Sequence, residues 1–189
     1  MKIFKCLLTD QEFYSDAKPI TLDEESGMMW VPSNEATEGG TKVDTGGGNA
    51  FGGGDEDDVD DAEETKLDHF WQFPDIENEV TFSSFKKFKK EYYIYYVNAY
   101  KRLVKEGKVP EEQKDTIKAS LKSALAWIEA NFDSLQFFSL SPYIDEYPEY
   151  PDEDGDPATF GANMAYLLYN EHGARFYFVG GAFKGEKVQ

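Results

Sequence analysis

Apolar residues recur at three- and four-residue spacing through the middle of the chain. Phe82, Phe85, Lys89, Tyr92, Tyr96, Ala99 and Leu103 fall on one helical stripe, all but Lys89 apolar or aromatic, with Phe88 beside it. Gly107 is a stop signal, and Val109-Pro110-Glu111-Glu112 opens a second helix with proline and acids in its first turn, as the helix dipole favours. Ile117, Leu121, Ala124, Leu125, Ile128 and Phe132 form that helix's apolar face. A connection this short predicts antiparallel neighbours, a helical hairpin over residues 81–132.

Outside the hairpin the pattern is that of short strands. Mixed apolar runs at 3–8 and 27–32 predict two, the second ended by Pro32. Residues 69–73 and 136–140 predict two more. At the C-terminal end, 163–169 and 174–179 predict a β-hairpin across Asn170-Glu171-His172-Gly173, with glycine where a positive φ is needed. Two stretches break the pattern. Residues 38–66 run from glycines into Asp55-Glu56-Asp57-Asp58-Val59-Asp60-Asp61, and residues 141–158 are rich in Pro, Tyr and acid. The first buries too little apolar area to offset its ordering entropy and is expected to be a mobile loop.

Length then sets the scale: 189 residues, 40% hydrophobic, predict a single domain over 1–189 with a sizeable core. Charge changes the picture more. The chain has 19 Lys/Arg against 37 Asp/Glu, a net charge of -18, yet residues 81–125 hold eleven basic residues and five acids. One basic element therefore sits in an otherwise acidic molecule, an arrangement that steers partners without specifying a fold. The overall acidity argues against nucleic acid as a partner. Cys6 is the one cysteine, which excludes an intramolecular disulfide. The first apolar run is too short for a signal peptide, and no stretch approaches the roughly 20 apolar residues of a membrane span. A cytoplasmic protein is expected.

Catalytic signatures are largely missing. Gly46-Gly47-Gly48-Asn49-Ala50-Phe51-Gly52 is neither a dinucleotide fingerprint nor a phosphate-binding loop. His69 and His172 are far apart, and with Cys6 they lack zinc-ligand spacing. Hard cations need clustered oxygens, which Asp55, Glu56, Asp57, Asp58, Asp152 and Asp154 supply as candidate ligands for weak calcium binding. An EF-hand is excluded: with Gly155 at the sixth loop position, Tyr150 stands at the first and Gly161 where the bidentate Glu belongs.

Several segments together resemble the translationally controlled tumour protein family, also called histamine-releasing factor. They are Thr9-Asp10-Gln11-Glu12-Phe13-Tyr14-Ser15-Asp16, Gly47-Gly48-Asn49-Ala50, Ala130-Asn131-Phe132 followed by Gln136-Phe137-Phe138, and the closing Met164-Ala165-Tyr166-Leu167-Leu168-Tyr169 and Phe176-Tyr177-Phe178-Val179. The chain departs from the family where Phe51-Gly52-Gly53 follows Ala50, and where Ser139-Leu140-Ser141 and an acidic insertion follow Phe138. The resemblance implies an α+β fold: a tent-like folded β-sheet core of the Mss4 type with a protruding helical hairpin and a long mobile loop. It also implies a non-enzymatic cytoplasmic protein, monomeric, that binds calcium and tubulin, stabilises microtubules and acts on a small GTPase of the Rheb type through Glu12. No cofactor is required in that picture.

The residues themselves support one part of it. Lys86, Lys87, Lys89, Lys90, Lys101, Arg102 and Lys105 offer a basic face to the acidic tails of tubulin or another acidic partner. Two competing classes remain. One is an acidic chaperone or histone binder using the acidic loops. The other is an enzyme like the methionine sulfoxide reductases, which share the tent-like architecture and need a reactive cysteine.

Overall fold

The computed structural model of the protein describes residues 1–7, 10–37, 64–139 and 164–188. Asp55, Glu56, Asp57, Asp58, Asp152 and Asp154 lie outside the described residues, as does the 141–158 insertion.

The elements run β1 (Lys2–Cys6), β2 (Glu12–Ser15), β3 (Thr21–Asp23), β4 (Met28–Ser33), β5 (Glu35–Ala36), β6 (Lys66–Leu67), α1 (Asp68–Gln72) and β7 (Glu79–Val80). The hairpin follows: α2 (Phe85–Phe88), a π-helical turn (Lys89–Tyr93), α3 (Ile94–Lys105) and α4 (Glu111–Asn131). Then come β8 (Leu135–Phe138), β9 (Ala165–Asn170), β10 (Gly173–Val179) and β11 (Phe183–Lys187). The strands form an antiparallel sheet β3-β4-β10-β9-β8-β7, a second antiparallel sheet β11-β1-β2, and the short pair β5-β6.

The large sheet is the middle of three layers, and β10 shows why. Its side chains alternate between two cores: Ala174, Phe176 and Phe178 join Phe13 and Tyr14 of the small sheet, whereas Tyr177 and Val179 face the helical hairpin. Both faces of β10 are covered along Phe176–Val179, so this part of its sequence reads as a continuous apolar run rather than an alternating one. Tyr14 stacks on Phe178 at 4.3 Å in the first core, and Phe137 meets Tyr166 edge-on at 5.7 Å in the second.

The hairpin is antiparallel. Phe85 and Phe88 reach Phe132 near the end of α4 (5.8 and 6.1 Å), while Tyr93, further along, donates from Oη to the Leu121 carbonyl at 2.5 Å. Gly107, at φ 75°, ends α3: its N–H donates to the Val104 carbonyl, and Lys108 N–H donates to that of Leu103. This 6→1 and 5→2 pair is a Schellman closure, which explains why a glycine punctuates the pattern there. The β9–β10 turn holds Gly173 at φ 115°, in keeping with the expected β-hairpin.

Three expectations need correction. Residues 69–73 are not a strand, because Asp68–Gln72 form α1. His69, Phe70 and Phe73 are buried while Trp71 is half-buried and Gln72 exposed, a helical period that a five-residue apolar cluster cannot reveal. Pro32 does not end its strand, since β4 continues through Ser33 with Pro32 opposite Arg175. β3 pairs with β4 only as far as Trp30, and the Pro32 carbonyl accepts from Lys18 Nζ at 3.2 Å. The proline nitrogen thus faces an edge where no ladder donor is required. Finally, the hairpin stripe is shifted. Lys89 is exposed and Phe88 is fully buried, followed by Tyr92, Tyr93, Tyr96, Tyr100 and Leu103. The wider π turn at Lys89–Tyr93 rephases the helix, carrying Lys89 off the buried face.

Candidate functional site

The basic face is built from its first turn upward. Ser84 caps α2, its Oγ accepting from Lys87 N–H at 3.2 Å, so the chain enters the helix with Lys86 and Lys87 already in the first turn. On the buried side, Tyr100 Oη donates to the Ala182 carbonyl at 3.1 Å, tying α3 to the turn before β11. Burial pushes the hydroxyls of Tyr93, Tyr96 and Tyr166 well above the usual tyrosine range, so this face stays uncharged. Lys86, Lys87, Lys89, Lys90, Lys101 and Lys105 are all exposed on the other side, and among the described residues none of them joins an ion pair. Arg102 lies in α3, with its side chain outside the description. Lys114, Lys118 and Lys122 of α4 are exposed as well.

Glu12 is found elsewhere. It is the exposed first residue of β2, opposite Lys5 of β1 where the register shifts. Lys5 pairs with Glu186 of β11 at 3.1 Å, and Lys184 of β11 pairs with Asp10 at 2.7 Å. The hydrogen bond to Glu186 holds the Lys5 ammonium above its ordinary range, and the one from Lys184 holds the Asp10 carboxyl below its own. Glu12 thus belongs to a band of alternating charge on the small sheet, the layer away from the hairpin. The structure does not join the two candidate surfaces.

Behind Glu12 lies a buried junction that positions it. His69 Nε2 donates to the Phe13 carbonyl at 2.8 Å, and its ring stacks on Phe176 at 4.6 Å. Burial pulls the imidazole down to about 4, so it is neutral at neutral pH. Burial alone would raise the neighbouring Asp68 carboxyl, but the hydrogen bonds from Lys18 and Ser33 Oγ outweigh it and leave the group below its ordinary value. Cys6 is fully buried in the core between the sheets, an inert setting for a thiol. Among the described residues no group of three or more His, Cys, Asp or Glu is placed to hold a metal ion.

A third cluster was not legible in the sequence. The guanidinium of Arg175 on β10 sits 3.8 Å over the ring of Trp30 on β4. Tyr177 meets Trp127 of α4 at 4.4 Å. Its members come from three separate segments, so no local spacing announces them.

The architecture defines a class: an α+β domain with a helical hairpin on one face of an antiparallel sheet and a second small sheet on the other. Solved structures share it. The translationally controlled tumor-associated protein p23fyp from Schizosaccharomyces pombe matches with a TM-score of 0.63 at 19% identity, each chain covered over 100%. The NMR structure of the translationally-controlled tumor protein from Caenorhabditis elegans matches at 0.58 and 17% identity, again over 100% of both chains. At these identities the likeness establishes the fold. The family profile of translationally controlled tumour protein matches residues 1–179, and the chain belongs to that family.

Proposed function

We propose that this chain acts by binding other proteins in the cytoplasm, without catalysis, and that the outer face of its hairpin receives an acidic partner of the tubulin-tail kind. The observation that supports this reading is the set of exposed lysines with no carboxylate partner among the described residues, on a hairpin whose other side is fixed by buried aromatic rings. Each exposed pair with an acidic tail contributes ~0.2–1 kcal/mol, so affinity is a sum over several contacts and falls with salt. Co-sedimentation with microtubules is the test. Replacing Lys86, Lys87, Lys89 and Lys90 by Glu is expected to lower binding at low salt by about tenfold or more. Unchanged pelleting of that variant would remove the hairpin from the reading.

Glu12 supports a second contact, with a small GTPase of the Rheb type. Its exposure on the small sheet, the layer away from the hairpin, favours simultaneous rather than competing partners. Glu12→Lys should weaken GTPase binding and leave microtubule binding unchanged. Calcium binding through the acidic residues 55–58, 152 and 154 is part of the same proposal. Calorimetric titration of the full chain, compared with a chain carrying Asn or Gln at those six positions, tests it, and equal heats from the two chains would reject it.

A further inference from the structure

The Trp30–Arg175–Tyr177–Trp127 cluster is placed on the hairpin side of the large sheet. Trp30 and Tyr177 are directly opposite in the β4–β10 register, and Arg175 is two residues from Tyr177 on the same face. One face of the guanidinium is covered by the Trp30 indole, and Nη1 reaches Tyr177 Oη at 3.5 Å. The group is therefore stacked, and among the described residues Tyr177 Oη is the one hydrogen-bond partner of its five in-plane donors. Arg175 is half-buried, and among the described residues it makes no ion pair, in a chain with 37 acidic residues to choose from. Leu168 stands opposite Arg175 in the β9–β10 register, and Trp127 packs on the neighbouring Tyr177 at 4.4 Å; both are half-buried.

We infer that this cluster is a recognition site for a carboxylate carried beside an aromatic ring, as in an acidic–aromatic segment of a partner protein. The planar fork fits a carboxylate in two-point contact, and the adjoining indole of Trp127 takes the ring. The single positive charge in an acidic protein favours a monoanion over a phosphate dianion. The site is separate from the lysines of the hairpin's outer face and does not depend on them.

The experiment is a two-dimensional NMR titration of the full chain, following the three tryptophan indole N–H signals. The probes are N-acetyl-aspartyl-phenylalanine amide, its uncharged asparaginyl counterpart and inorganic phosphate. Trp71 is an internal control, because its Nε1 donates to the Ala36 carbonyl away from the cluster. The acidic probe is expected to move the Trp30 and Trp127 signals and leave Trp71 in place. It should bind about tenfold more tightly than the asparaginyl probe or phosphate. Arg175→Gln should remove that difference, and Arg175→Lys, which keeps the charge but not the fork, should recover only part of it. Equal binding of the charged and uncharged probes, phosphate binding as well as the acidic probe, or full acidic-probe affinity in Arg175→Gln with an unmoved Trp71 signal would each overturn the inference.

Discussion

His69 is the residue at which burial is converted most directly into a measurable dependence on pH. Its folded value near 4 lies below the unfolded value of 6.5, so the unfolded chain binds the proton first. Stability is therefore full above about pH 6.5, falls as pH drops toward 4, and levels off below that. The span corresponds to about 3 kcal/mol, and urea titrations at pH 7.5 and 4.5 should resolve most of it. His69→Gln should flatten that slope even if the variant is less stable at neutral pH. A second test at this scale concerns the phase of the hairpin. Phe88→Ala should cost about 3–5 kcal/mol, whereas Lys89→Ala should cost less than ~0.5 kcal/mol. The opposite order would mean that the stripe runs through Lys89.

At the scale of elements, long periodic segments were readable and short ones were not. The α4 face of Ile117, Leu121, Ala124 and Ile128 stands buried as its spacing implies, because a 21-residue helix repeats its period several times. α1 has only five residues, fewer than two turns, so His69–Phe73 offered no period to read. β3 and β11 were missed for a related reason: their mostly exposed residues carry little apolar signal, and their place is set by pairing with β4 and β1. The turn before β11 is also tertiary in origin. A Cβ on Gly180 would stand 2.3 Å from the Gly27 carbonyl oxygen, and Gly181 lies close against Ile117 and Ser120 of α4. Gly180→Ala should therefore cost more than ~2 kcal/mol in thermal or urea unfolding, because backbone has to move. Gly107→Ala meets open space but a φ of 75°, and should cost only about 1 kcal/mol.

The whole molecule is organised by charge as much as by layers. Nine lysines of the basic segment face solvent unpaired among the described residues, while the small sheet carries its charges as neighbouring opposites, Lys5 with Glu186 and Lys184 with Asp10. The first surface has no carboxylate partner among the described residues, and the second pairs its charges internally. Composition made the basic segment visible, but only the fold separates it from Glu12 by placing the two on different layers. The Arg175 cluster lay beyond composition altogether, since one arginine among 19 basic residues has no signature without its stacked indole. The central claim, that the hairpin's outer face is the binding surface, is tested most directly by titrating the full chain with a tubulin-tail peptide and mapping the backbone amides that shift. The account predicts shifts concentrated between residues 86 and 105, abolished by raised salt, with Glu12 and its neighbours on the small sheet unmoved. Shifts concentrated on the small sheet, or binding indifferent to salt, would contradict it.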